Sequence, residues 1–237
     1  MSPDSMTWRA IIGLSGAKRT RLCAAKTTAL AHSTRLNKQT NGTCVQPLPT
    51  MEAFQSSHAK GIGDITKWSI DGKTDAIVNA ANTRMLGGGG VDGAIHRAAG
   101  SALYDACLEL PLVGKNIRCR TGDAVITKGF RLPVSKIIHT VGPVYDNDEK
   151  SGPLLESSYK SSLVLAEKSG VKYLAFPAIS CGIYGYPYDK AAEIALDTVS
   201  KYSSGMKEVH FVLFEEGSWV EWLERASKSF GRLEEEL

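Results

Sequence analysis

Asn79-Ala80-Ala81-Asn82 closes a short apolar run, and Gly87-Gly88-Gly89-Gly90-Val91-Asp92-Gly93 follows it, then His96. The run at 74–79 (TDAIVN) starts just after Gly72 and reads as a buried strand. Residues 91–99 read as a helix. Strand, bare-backbone loop and helix in that order suit a phosphate or pyrophosphate. Glycines let backbone N–H groups approach a ligand with no Cβ in the way, and the positive end of the helix faces the same place. Asp92 is out of place in an inert phosphate cradle, which points to chemistry there.

Gly88, Gly90 and Gly93 also satisfy G-x-G-x-x-G, the dinucleotide fingerprint. That fingerprint requires an acid about 20 residues further on, and residues 111–115 hold none. The P-loop reading fails too, because no Gly-Lys-Ser/Thr follows the glycines. A plain turn needs only one or two glycines, and glycine loses the most entropy when ordered.

Working outward, strand-like and helix-like segments alternate. Helices are predicted at 91–99 and Ser101–Leu108, and adjacent strands at 123–127 and 135–141. A helix is predicted at 153–169, opening on Pro153 and stopping at Gly170. A strand at 172–176 ends at Pro177. Tyr188–Tyr202 is amphipathic, with Ala191, Ala192, Ile194, Ala195 and Val199 on one face. A strand at 208–214 and a helix at 219–230 complete the series. The fold class is therefore α/β, a mixed, mostly parallel sheet with helices on both faces. In such sheets ligands bind beyond the carboxyl ends of the strands, where the loops after Asn79, Pro177 and Phe214 fall.

The net charge of +3 over 237 residues is unevenly distributed. Residues 1–50 carry seven basic side chains and one acid, about +6, which leaves about −3 for the rest. The folded part thus lacks the basic character a nucleic-acid partner would need. The first 50 residues, basic and rich in Ser, Thr and Ala, read as a transit peptide for plastid or mitochondrion. The alternatives are a disordered extension, or a region upstream of a true start at Met51, with a cytoplasmic or nuclear protein. Either way they form an extension and residues 51–237 form the domain. The five cysteines and five histidines show no metal-ligand spacing. No apolar run reaches the length of a membrane span.

The loop Ala178-Ile179-Ser180-Cys181-Gly182-Ile183-Tyr184-Gly185-Tyr186-Pro187 mirrors the first glycine loop. Two such loops at strand ends suggest a ligand with two phosphates held between them. Together with Gly63-Asp64-Ile65-Thr66, GGGGVDGAIHRAAG at 87–100, IIHTVGP at 137–143 and FPAISCGIYGYP at 176–187, the chain closely resembles a macro domain. The likeness covers about residues 59–230. It is strongest to the MacroD-type ADP-ribose hydrolases and O-acetyl-ADP-ribose deacetylases, and Met85 and the segment 210–216 look like plant members.

The resemblance implies a three-layer α/β/α sandwich that takes ADP-ribose and its esters, acts as a monomer and needs no metal or cofactor. It implies that Asp64 binds the adenine amino group, with Gly63 and the Ile65 backbone beside it, and that Phe214 stacks on adenine. Local readings compete: Asp64 as a helix cap, Phe214 as a core residue of its strand. Asn82, with Ala81 next to it, is implied at the distal ribose. Gly87, Gly88, Gly89, Gly90 and Val91 would line the diphosphate with N–H groups, as would Ser180, Cys181, Gly182, Ile183, Tyr184 and Gly185. Asn82 and Asp92 are the implied catalytic pair, Asp92 positioning or activating water. His96, one helical turn on, either orients Asp92 or is a structural histidine. Cys181 stands where most of the family has Thr, and residues 54–62 lack the alternation of the family's first strand. The implied activity is hydrolysis of mono-ADP-ribosyl groups on protein acidic side chains, or of O-acetyl-ADP-ribose. A non-catalytic ADP-ribose reader and an ADP-ribose 1″-phosphate phosphatase remain as alternatives.

Overall fold

The computed structural model describes residues 63–230, so the extension at 1–50 and the segment 54–62 lie outside the described residues. Five strands form one sheet in the order β2-β3-β1-β4-β5. They are β1 (Asp75–Ala80), β2 (Ala124–Lys128), β3 (Lys136–Thr140), β4 (Tyr173–Phe176) and β5 (Glu208–Phe211). Neighbours run parallel except β2, which pairs antiparallel with β3 at the edge. The mixed, mostly parallel sheet is as the alternation predicts.

The helices are α1 (Gly90–Ala99), α2 (Ser101–Leu108), α3 (Asp148–Lys168), α4 (Tyr188–Tyr202) and α5 (Glu216–Phe230). They cover both faces, because β1 sends alternate side chains to opposite sides. Ala76 and Val78 join a core with Leu155, Tyr159 and Leu163 of α3, Ala191 and Ala195 of α4 and Trp222 of α5. Ile77 joins a second core with Ile95 and Ala99 of α1 and Leu103 and Cys107 of α2. A strand covered twice reads as a continuous apolar run, as residues 76–78 do. Among the described residues no helix is long and apolar enough to cross a membrane.

Three boundaries differ from the sequence reading by three residues or more. Helix α3 starts at Asp148, five residues before Pro153. Asn147 caps it by accepting from Lys150 N at 3.0 Å, and Asp148 and Glu149 in the first turn favour the helix's positive end. Pro153 therefore sits inside the helix, where it withholds an N–H from the exposed Glu149 turn. Strand β5 stops at Phe211, three residues short of Phe214, and α5 begins three residues before Trp219.

A turn fixes the amino end of β1. The Asp75 carboxylate, wholly buried, accepts from Ser69 Oγ at 2.7 Å and from the backbone N–H groups of Ile70, Asp71 and Gly72 at 2.5–2.9 Å. Gly72 has φ +66°, a left-handed conformation glycine adopts without strain.

Candidate functional site

Strands β1, β4 and β5 are neighbours, so the loops leaving them, 81–89, 177–187 and 212–215, lie in series along the carboxyl edge. At about 4.8 Å per strand they frame roughly 10 Å of sheet edge. A ligand laid across them meets the β1 loop at one end and the β5 loop at the other.

Strand periodicity builds the first end. Asn79 and His139 are paired in register across β1 and β3, and each follows by two residues an isoleucine of the α1-side core. Both therefore face α1, and both are fully buried. Helix α1 lays Asp92 over them. Asn79 Nδ2 donates to Asp92 Oδ1 at 2.8 Å and meets His139 Nδ1 at 3.0 Å. An amide carries two hydrogens, so it serves both neighbours, and His139 accepts at Nδ1. Its proton is then on Nε2, which donates to Thr127 Oγ1 at 2.9 Å. Burial, with His96 nearby, pushes the His139 pKa down to about 3, so the ring is a neutral relay.

Asp92 is 3% exposed. Burial raises its carboxyl pKa above the ordinary value, and the Asn79 hydrogen bond and His96 offset this only in part. Its second oxygen stands 3.4 Å from Asn82 Nδ2, a long contact. Asn82 Nδ2 also donates to Gly87 O at 3.0 Å, while its Oδ1 accepts from Arg84 N at 3.1 Å, which sets the amide's orientation. His96 Nε2 lies 3.5 Å from Asp92 Oδ1 but makes no aligned hydrogen bond, so this contact is electrostatic. Asn82, Asp92 and His96 are thus brought together.

The glycines are required by close approach. A Cβ on Gly88 would stand 3.1 Å from both Asn82 Nδ2 and Asp92 Oδ2, and one on Gly93 would collide with Gly88 O. A Cβ on Gly89 would stand 2.7 Å from Ile183 Cδ1, because Ile183, 79% exposed, reaches across from the second loop. Tyr184 of that loop has its phenol pKa raised first by burial and then by the Asp92 charge, so the phenol lies within electrostatic reach of Asp92. Ser180 holds φ +67°, a strained region for a residue with a Cβ. Its buried Oγ has no partner among the described residues. Cys181 turns inward, Sγ donating to Ile179 O at 3.5 Å, and burial pushes its thiol up to about 12. Only its backbone is left to face a ligand.

Asp64 and Phe214 stand apart from that cluster. Asp64 caps the short 3-10 turn Ile65–Lys67, accepting from Thr66 N at 3.0 Å and Thr66 Oγ1 at 2.6 Å, with Lys67 at 3.4 Å. Burial works against its charge, but these partners outweigh it and hold the carboxyl below its ordinary value. The cap reading of Asp64 is thus what its Oδ1 does. Phe214 is 67% exposed and beyond β5, so it is no core residue of that strand. Trp68 Nε1 donates to His210 Nδ1 at 3.4 Å, which brings the turn that carries Asp64 alongside β5, the strand that leads to Phe214.

Sequence reasoning missed the supporting roles of Asn79 and His139, although both stood in quoted motifs. The signal was there. Each is a polar residue two positions after an isoleucine, near the carboxyl end of its strand.

The family model of the Macro domain matches residues 78–195. The O-acetyl-ADP-ribose deacetylase of Salmonella gallinarum is 50% identical over 163 residues, covering 65% of this chain and 85% of that protein. The Oceanobacillus iheyensis macrodomain with ADP is 41% identical at a TM-score of 0.65, covering 71% of this chain and 89% of that one. The Trypanosoma brucei macrodomain in complex with ADP-ribose is 39% identical at a TM-score of 0.56, covering 65% and 63%. None of these relatives is a plant protein, and the plant-like details at Met85 and 210–216 gain no support from them.

Proposed function

The chain belongs to the macro domain family, and from that premise we propose that it hydrolyses esters of ADP-ribose, releasing acetate from O-acetyl-ADP-ribose and mono-ADP-ribose from acidic side chains of proteins. The observation that carries this is the buried Asp92 carboxylate, with its pKa raised, 3.4 Å from Asn82 across a glycine loop. A relative named for the deacetylase reaction and another solved with ADP-ribose support the substrate class.

In this reading the ligand lies along the three loops. The β5 end takes adenine, stacked on Phe214 with its amino group on Asp64. Backbone N–H groups of the loops at Gly87, Gly88, Gly89, Gly90 and Val91 and at Ser180, Cys181, Gly182, Ile183, Tyr184 and Gly185 take the diphosphate. The start of α1 adds its positive end. Asn82 holds the distal ribose. Asp92, ionised, orients a water molecule and accepts its proton. Water adds across the ester, and the products are a carboxylic acid and ADP-ribose. Burial makes Asp92 a stronger base than an exposed aspartate would be, and general-base work of this kind contributes about 10²–10⁴ in rate.

Turnover of O-acetyl-ADP-ribose and of a mono-ADP-ribosylated protein by wild type and Asp92→Ala tests this. The expected loss in kcat is about 10²–10⁴-fold. Equal turnover by both proteins rejects the role, and tight ADP-ribose binding by a wild type that turns over neither ester makes the protein a reader. Calorimetry checks the other end of the groove. Asp64→Ala is expected to weaken ADP-ribose binding by about 1–3 kcal/mol, and unchanged affinity removes Asp64 from the adenine site.

A further inference from the structure

A cavity of about 420 Å³ opens on the outer side of the glycine loop, bounded by Gly88, by His96 and Arg97 of α1, and by Gly100, Ser101 and Tyr104 where α2 begins. Two of these residues also touch the reactive end. Gly88 abuts Asn82 Nδ2 and Asp92 Oδ2, and His96 stands 3.5 Å from Asp92 Oδ1. In the reading proposed above, the adenine and diphosphate run the other way, toward β4 and β5. On that reading the cavity lies on the leaving-group side of the reacting bond. Its volume falls in the range of small-ligand sites, roughly 300–1,000 Å³, far more than an acetyl group fills.

Its polar groups favour an anion. Arg97 is exposed and, among the described residues, has no ion-pair partner. Arg131 crosses the flank at Gly100, where a Cβ would stand 2.9 Å from Arg131 Cδ and 3.5 Å from Nη1. Helix α2 starts beside them with no side-chain cap, so its first N–H groups add a positive field. Tyr104, 42% exposed, adds an aromatic face to the lining.

We infer that this cavity receives the peptide carrying the scissile ester, and that Arg97 selects substrates whose modified residue is flanked by further acidic residues. The inference rests on the ester hydrolysis proposed above. An arginine fork pairs with a carboxylate through two parallel hydrogen bonds, which an acetyl group cannot supply once it is esterified.

Three synthetic peptides, each mono-ADP-ribosylated on one glutamate and flanked by aspartates, alanines or lysines, test this, with O-acetyl-ADP-ribose as the small substrate. The wild type is expected to favour the acidic over the lysine flank by about tenfold in kcat/KM. Arg97→Gln reduces that preference to about twofold, and Arg97→Glu reverses it. Equal kcat/KM on the three flanks with turnover intact overturns the inference alone, as does a preference that survives both substitutions. Failure to turn over any ester, O-acetyl-ADP-ribose included, overturns the parent reading and this one with it.

Discussion

Two buried aspartates serve opposite ends of β1, and they are treated in opposite ways. Asp75, at the amino end, is wholly enclosed, and its carboxylate collects a hydroxyl and three backbone N–H groups at 2.5–2.9 Å. Asp92, over the carboxyl end, is almost as buried but receives one short bond, from Asn79 at 2.8 Å. Its other neighbours, Asn82 and His96, stand at 3.4 and 3.5 Å. A buried carboxylate given all its donors has its hydrogen-bonding capacity met and ties its turn together. One given too few keeps an appetite for a proton. The difference separates a structural acid from a chemical one more sharply than burial does.

The comparison breaks first at Asp75. Asp75→Ala strands three N–H groups of the 70–72 turn, and the expected loss is about 3 kcal/mol of unfolding free energy. Urea titration measures it, with kcat of the folded fraction unaltered; a stable variant would mean that water replaces the carboxylate. Next comes Asn79→Ala, which removes the bond that partly offsets the burial of Asp92. The Asp92 pKa then rises further, so the acid limb of the kcat profile should move to higher pH, with kcat at neutral pH down about tenfold. A fall in stability with an unmoved limb would make Asn79 merely structural.

The smallest effect concerns the cost of keeping Asp92 charged. Its pKa is raised on folding, so above the ordinary carboxylate range the native state holds a proton that the unfolded chain has released. Stability then falls as pH rises through the raised pKa. Asp92→Asn cannot ionise. Its melting temperature should therefore gain on wild type as pH rises from about 4 to neutrality, by about 2–4 °C for each kcal/mol involved. A constant difference across that range would show that Asp92 ionises without strain. His139 acts in the reverse sense. Its folded pKa is pushed down to about 3, so it lowers the stability of both proteins as pH falls below about 6.5. It cancels in the difference.

Most of the architecture was legible because both apolar periods are clean: residues 76–78 for a doubly covered strand, Ala191 to Val199 for a helix face. The start of α3 was misjudged because Pro153 is a strong first-turn signal, while the decisive cap, Asn147, lies in an otherwise polar stretch. The strand ending at Phe211 rather than Phe214 has a different cause. Apolar residues at 212 and 213 continue into the cores, and Val212 N still donates to Phe176 O at 2.8 Å although the ladder with β4 ends at Phe211, which no sequence pattern distinguishes from strand. At the site, the residues proposed to face the ligand were carried by motif, but the supporting pair Asn79 and His139 emerged only with the register of β1 against β3. Register is a tertiary fact.

Every bond to the Asp75 carboxylate comes from within six residues, so that turn closes a short loop and can form early. The Asp92 network instead joins Asn79 to His139, 60 positions away, and through it Thr127. That assembly waits until β1 and β3 have found each other. A chain still emerging or only partly folded has no poised carboxylate, and the first turnover it achieves announces that its central strands are paired.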